Sequence, residues 1–294
     1  MKVKAECAAC ALHRGYLETE KATDKPSLQF KTMSALINFL TKEFKPTAVA
    51  AYLGTQRDKI IKEVTGNPDP YAKTKQISNQ RAMEILPSAK NIVLNNFSIE
   101  SRFRKTCLCS IVGNIMEFDI PHHDFKFEDL EKLFRGAEED LAIDEIPEIF
   151  NQTKKAKKII FLTDNAGEIA FDTLLVQELK KFGANVTVAV KSKPVLNDAT
   201  MEDAKYVGMH NVADKVVTTG SDSVGLILED CSKEFLKLYN SANFVVAKGM
   251  GHAETLTELN LEIPHALLLR TKCRPVANYF GVAKNKNVAK LMMP

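Results

Sequence analysis

The stretch Lys158-Ile-Ile-Phe-Leu-Thr-Asp164-Asn165-Ala-Gly167-Glu168 decides how the chain is read. An apolar run stops at an acid and an amide, a glycine follows, and a helical pattern begins. That is the order of a buried parallel strand delivering polar side chains to its carboxyl end, and ligands of open α/β sheets bind outside those ends. An Asp-Asn pair there offers hard oxygen donors, which suit Mg2+ or Mn2+ better than a soft-metal site would. The competing reading is a helix N-cap, since Asp and Asn both cap well. One cap residue suffices, however, and here two stand with a glutamate behind them.

Working outward, the same pattern recurs. Apolar runs lie at 159–163, 186–190, 215–218, 244–247 and 266–269. The stretch 168–182 between the first two carries Ile169, Leu174, Leu175 and Leu179 at helical spacing and closes at Gly183, a usual helix stop. Strands alternating with helices imply βαβ units and a parallel sheet. Upstream the pattern is helical. Phe30, Met33, Leu36, Ile37 and Leu40 mark one helix in 29–43. Segments 45–65 and 72–86 follow, split by Gly66-Asn-Pro-Asp-Pro70, and then 99–118 and 127–150. The expected architecture is α/β: a Rossmann-like α/β/α domain over 151–294, preceded by an all-helical domain over 1–150.

The strand ends carry the chemistry. Beyond Asp164-Asn165, the runs lead to Lys191 and Asn197-Asp198, to Gly220-Ser221-Asp222, to Lys248-Gly249 with His252 and Glu254, and to Arg270-Thr271-Lys272. Parallel strands bring such ends to one crevice. Asp164, Asn165 and Asp198 suit a divalent cation that polarises a phosphoryl oxygen and positions water. Lys248 and Lys272 suit the non-bridging oxygens, where transition-state charge sits. Gly220 and Gly249 allow backbone N–H groups close to an anion, and Ser221 adds a hydroxyl. The opposing reading of Lys248 is a solvated lysine beside a turning glycine. No dinucleotide fingerprint, G-x-x-x-x-G-K-[ST] loop, G-x-S-x-G elbow or H-E-x-x-H helix is present. His122-His123-Asp124 reads as a polar loop with metal ligation as the sharper alternative.

Cys7-x-x-Cys10 and Cys107-x-Cys109 form two close thiol pairs. If they met in space they would make a tetrahedral Zn2+ or redox site; otherwise they pack as small hydrophobes. Cys231 and Cys273 read as packing residues.

With 40 basic and 37 acidic residues the net charge is +3, which gives no electrostatic case for nucleic acid or a membrane surface. No apolar run approaches the ~20 residues of a membrane span. The first residues, Met1-Lys-Val-Lys-Ala-Glu-Cys, lack the apolar core of a signal peptide. A cytoplasmic protein with reduced thiols is expected.

Taken together, the motifs resemble the damage-control phosphatase family, long catalogued as a domain of unknown function, in its branch with an N-terminal Cys-x-x-Cys. The resemblance runs through Cys7-x-x-Cys10, Asp69-Pro70-Tyr71 with Lys75, Gly113-Asn114, Thr163 to Glu168, Asn197-Asp198, Gly220-Ser221-Asp222 with Gly225, Lys248-Gly249 and Lys272-Cys273. It implies a helical domain followed by an α/β/α domain. It also implies metal-dependent hydrolysis of small phosphorylated metabolites, sugar phosphates or nucleotides, in the removal of damaged or surplus phosphometabolites. The metal ligands carry over to Asp164, Asn165 and Asp198, the phosphate-side lysine to Lys248, and pocket positions to Asn114 and Glu168. Gly220, Ser221, Asp222, Glu254 and Lys272 complete the expected substrate site, and Mg2+, Mn2+, Co2+ or Ni2+ is the expected cofactor. Two positions depart from the pattern: Glu117 stands where Asp is expected, and His252 where a polar amide is usual. Two alternatives stay open. One is an S-adenosylmethionine-dependent carboxyl methyltransferase, which a Rossmann-like sheet also suits. The other is a non-catalytic metal- or metabolite-binding protein centred on the cysteines.

Overall fold

The computed structural model describes residues 1–95, 98–113 and 128–294. Three helices open the chain: α1 (Glu6–Ala22), α2 (Pro26–Glu43) and α3 (Ala50–Thr65). They pack on one another as a small helical unit. Next come α4 (Ala72–Leu94), α5 (Ile99–Gly113) and α6 (Glu128–Gly136), then β1 (Leu141–Asp144) and α7 (Ile146–Lys155). The alternating part runs β2 (Lys158–Leu162), α8 (Glu168–Lys180), β3 (Asn185–Val190), α9 (Met201–Tyr206), β4 (Lys215–Thr218), α10 (Lys233–Asn240), β5 (Phe244–Lys248), α11 (Gly249–Leu256), β6 (His265–Arg270), α12 (Arg274–Phe280) and β7 (Asn287–Met292).

All seven strands join one sheet in the order β1-β7-β6-β5-β2-β3-β4. The five strands from β4 to β6 are mutually parallel; β7 pairs antiparallel with β6, and β1 pairs parallel with β7. The five apolar runs expected from sequence are these five parallel strands. Chain order reverses between β2 and β5. From β2 the chain steps outward to β3 and β4, and it then returns to β5 on β2's other side. This is the switch point at which such sheets form a ligand crevice.

Side chains alternate across the sheet with period two. Ile159, Phe161, Val186, Val188, Phe244 and Val246 enter the core shared with α5 and α8. Ile160, Leu162, Ala189, Val245 and Ala247 enter the core that holds Phe235, Ala253, Leu256 and Val276 of α10, α11 and α12. The strands thus read as continuous apolar runs because both faces are covered. Residues 1–150, read as mostly helical, also contribute to the sheet layer. The strand β1 lies inside this mostly helical segment, and α4 and α5 are a covering layer of the sheet, with α5 packed along α8. Four residues, Leu-Ala-Ile-Asp, are too short to show a period, and the pairing with β7 supplies what the local pattern lacks.

Candidate active site

Beyond β2 the chain does not turn at once into α8. Asp164 O accepts from Ala199 N at 2.7 Å, and Asn197 O accepts from Ala166 N at 2.9 Å, so Asn165 and Asp198 face each other in an isolated antiparallel bridge. The loop after β3 is thereby pinned on the loop after β2. Asp164, Asn165, Asn197 and Asp198 line one pocket of about 60 Å3, together with Arg14, Leu196, Val224, Met250, Gly251 and Glu254. The two acids and the amide stand on one rim of the sheet, at the switch point.

Asn165 is held in a set orientation. Its Nδ2 donates to Asp164 Oδ2 at 2.9 Å and to Glu168 Oε2 at 3.0 Å, and its backbone N–H reaches the same Glu168 oxygen at 3.3 Å. With the amide nitrogen fixed this way, Oδ1 is the atom an ion would use. Gly249 opens the space for Asp164: its φ is +78°, and a Cβ there would sit 1.8 Å from Asp164 Oδ2. Glycine at the start of α11 thus lets the carboxylate cross the end of β5.

Among the described residues no three His, Cys, Asp or Glu side chains cluster as metal ligands. The set at this rim is two carboxylates and a carboxamide, all oxygen donors, which fits a hard dication completed by water better than a soft metal.

Lys248 does not line the pocket. It is wholly buried, and its Nζ donates to Ser110 O at 2.9 Å, to Asp172 Oδ1 at 2.8 Å and to Glu168 Oε1. All three ammonium protons are satisfied internally. Burial alone would push this amine down, but Asp172 and Glu168 hold it above the usual lysine range. Burial pushes the Asp172 carboxyl up to about 6, against the pull of Lys248. Lys248 is therefore a counter-charge that fixes Glu168, which in turn fixes Asn165. Lys248, read as a phosphate-side lysine, and Glu168, read as a pocket residue, thus both stand behind the pocket lining. The register of β5 explains it, since residue 248 shares the parity of Phe244 and Val246 and so points toward α5 and α8.

Other expected positions also prove to be support. Ser221 Oγ accepts from Ser223 N at 3.0 Å, and Ser221 O accepts from Ser192 N at 3.0 Å. Asp222 pairs with Lys59 at 3.2 Å on the surface. With Gly220 they form the turn that carries Val224 to the pocket, and none of the three lines it. Lys272 is buried with its backbone N–H toward Met250 Sδ, and it is not among the pocket-lining residues either. Glu254 does line the pocket, as read from sequence. Asn114, Glu117, His122, His123 and Asp124 lie outside the described residues.

The four-cysteine metal centre is not assembled. Cys107 and Cys109 are buried in α5 within the sheet core; burial pushes the Cys109 thiol up to about 12 and Cys107 higher still. Cys7 and Cys10, on α1, instead share a cavity with Cys273.

Arg14 is the pocket residue that the sequence reading missed. It lies on α1, one helical face on from Cys7 and Cys10, and the spacings of three, four and seven were the available signal. Lys191, which the sequence placed at the end of its strand without a role, stands behind the pocket: it is buried, 3.6 Å from Asp198 Oδ2, and donates to Gly225 O at 2.5 Å. The helical unit also positions the loop before Asp198. Asp58 accepts from Leu196 N at 3.1 Å, Lys62 donates to Pro194 O at 2.5 Å, and Leu196 is held at φ +47°. A leucine in that region is strained and persists only where its surroundings hold it.

A model of the damage-control phosphatase ARMT1-like domain matches residues 3–288. The chain belongs to the damage-control phosphatase family. It is 34% identical to a damage-control phosphatase of Archaeoglobus fulgidus, covering 99% of this chain and 100% of that one. It is 32% identical to a damage-control phosphatase of Pyrococcus horikoshii, covering 97% and 96%. An uncharacterised protein of Methanocaldococcus jannaschii is 38% identical over 98% of this chain and 95% of its own. The crystal structure of a family member from Pyrococcus horikoshii superimposes with a TM-score of 0.87 at 33% identity, covering 98% of each chain. Membership in the damage-control phosphatases makes the chain a phosphatase of the hydrolase class, and it shares its α/β fold with the family structure.

Proposed function

We propose that the chain is a divalent-cation-dependent phosphomonoesterase for small phosphorylated metabolites. The observation that carries this reading is the bridge between Asn165 and Asp198, which sets Asp164, Asn165 and Asp198 round one small pocket beside Arg14. Asp164, Asn165 and Asp198 would hold the cation, which when bound supplies charge to a phosphoryl oxygen and lowers the pKa of water. The chain's own residues do the rest. Arg14 offers a planar fork of donors to the non-bridging oxygens, the geometry that suits phosphate. Glu168 and Lys248 hold Asn165 so that its Oδ1, not its Nδ2, faces the pocket. In the reaction an oxygen from water bonds phosphorus, the bond from phosphorus to the ester oxygen breaks, and the alcohol leaves carrying a proton.

The first βα turn speaks against a methyltransferase. A Cβ at Gly167 would lie 2.9 Å from Ser78 Cβ and 3.1 Å from the Ser78 carbonyl carbon, so α4 already occupies the approach a nucleotide-like cofactor needs. The reading is tested with a panel of phosphomonoesters in the presence of Mg2+, Mn2+, Co2+ or Ni2+. Phosphate release is expected to stop in chelator and in Asp164→Ala, and Arg14→Ala is expected to cost about 10²–10³-fold in kcat. Wild-type turnover by Asp164→Ala would refute it. Trapping of an acyl phosphate on Asp164 would make that residue the attacking group as well as a ligand.

A further inference from the structure

The small pocket at the sheet rim opens on a second cavity of about 160 Å3, with which it shares Arg14, Leu196, Val224, Met250 and Glu254. Its walls come from α1 and α3 on one side and from the strand ends on the other. Val3, Ala11, Ala51, Leu53, Val224 and Met250 make most of the surface, and Cys7, Cys10 and Cys273 complete it. Burial pushes the Cys7 thiol upward and that of Cys273 to about 12, so both stay protonated and act as soft apolar surface. The charged side chains at the far end are largely engaged. Glu6 accepts from Arg274 at 3.0 Å, and Arg57 donates to the buried Glu18 at 3.0 Å. Arg57 Nη2 is buried with no hydrogen-bond partner among the described residues.

Resting on the phosphomonoesterase reading, we infer that this cavity seats the alcohol part of the ester, and that the substrate class is a phosphomonoester with a short apolar arm, not a polyhydroxylated sugar phosphate. At roughly 30 Å3 for each small group, the value for a water, the cavity takes about five or six heavy atoms. A sugar seated there would give up water around several hydroxyls and find few partners in return, whereas an alkyl or aryl arm gives up nothing polar.

The test is a series of straight-chain phosphates, methyl to octyl, beside ribose 5-phosphate and glucose 6-phosphate, with Mg2+ or Mn2+ present. For the natural chain kcat/KM is expected to climb about fourfold per methylene and to level off near hexyl, the expectation for burying one methylene at a time. Gly54→Leu supplies the counterpart. A Cβ at Gly54 meets only Val224 Cγ2, at 3.8 Å, so the leucine is accommodated in helix α3 and its side chain fills the cavity. In that variant the hexyl-to-methyl ratio of kcat/KM is expected to fall at least tenfold, with the melting temperature unchanged or raised because leucine is the better helix former. A ratio that stays flat along the series, or sugar phosphates turned over faster than hexyl phosphate, overturns the inference and leaves the phosphatase standing. Failure of every ester with every cation overturns the phosphatase reading. Calorimetry of hexyl against methyl phosphate then judges the cavity by itself, with tighter binding and a negative heat-capacity change for the longer chain supporting it, and equal affinities sinking it.

Discussion

Asp164 and Gly249 are a pair at the residue scale, although 85 positions separate them (249 less 164). The carboxylate crosses space that any side chain at 249 would fill, so Gly249→Ala must move either the loop or the acid. The left-handed backbone adds about 1–2 kcal/mol of strain for a non-glycine. Expected is a loss of activity of about 100-fold or more with only a modest fall in melting temperature, read by kinetics and thermal unfolding on the same preparation. His252 makes a second residue-scale prediction. Burial holds its imidazole down at about 3, and its Nδ1–H donates to Lys248 O at 2.7 Å. The folded chain therefore keeps it neutral at a pH where the unfolded chain, with an ordinary histidine near 6.5, binds a proton. Stability from this group is complete above about pH 6.5 and drains away as the pH falls toward 3, at up to about 1.4 kcal/mol per pH unit. In His252→Asn, which keeps a donor toward the same carbonyl, melting between pH 6.5 and 5 should depend less on pH than in the natural chain; equal slopes would contradict the assignment.

At the scale of elements, α3 acts as a clamp on the loop between β3 and Asp198. Two of its side chains reach across, Asp58 to Leu196 N and Lys62 to Pro194 O, and Thr55 Oγ1 accepts from Val224 N at 2.9 Å in the loop after β4. This is how the strained Leu196 is kept in place next to Asn197 and Asp198. Asp58→Ala leaves the Leu196 N–H without its acceptor and removes the ion-pair partner of Lys62, which keeps Pro194 O, a cost of about 1–3 kcal/mol. The larger effect is expected on cation affinity: activity should require several-fold more Mg2+ or Mn2+ for half-saturation, while kcat at saturating cation changes little. A kcat collapse at unchanged cation dependence would show that α3 does something other than position this loop. Helix α4 supports the other ligand loop in a similar way, because Asn79 accepts from Gly167 N at 2.7 Å and donates to Asp203 Oδ1 at 2.7 Å. Asp203 in turn caps α9 through Thr200.

For the whole molecule, the proposed ligands lie on two successive βα loops, so a bound cation would tie these loops together. Cation binding to the native state alone raises stability by about 2.7 kcal/mol at a hundredfold excess over Kd. A rise of several degrees in melting temperature with Mn2+ is expected for the natural chain and should vanish in Asp198→Asn. An undiminished shift in that variant would move the cation elsewhere. The five parallel strands and the Asp-Asn pair were legible from one dimension, because a strand covered on both faces must be continuously apolar and must end where polar groups reach solvent. The short β1 and the edge strand β7 were not, since pairing partners far off in sequence define them. Among the residues that line the pocket, Asp164, Asn165, Asp198 and Glu254 were legible by type and position at strand ends. Lys248, Glu168, Ser221, Asp222 and Lys272 carried the right chemistry, but type alone does not say which way a side chain points. Arg14 shared a helix face with Cys7 and Cys10, but that spacing does not say that a helix near the start of the chain comes to rest, through tertiary contacts, on loops more than a hundred residues away. By itself, then, the order of residues determined the sheet, its active rim and the hard-oxygen character of the site, all of which follow from local periodicity and donor type. Only the packed structure decided which cation faces the pocket, which cations are locked behind it, and that an apolar, thiol-walled cavity adjoins it, because those are matters of direction and proximity between segments that no local pattern encodes.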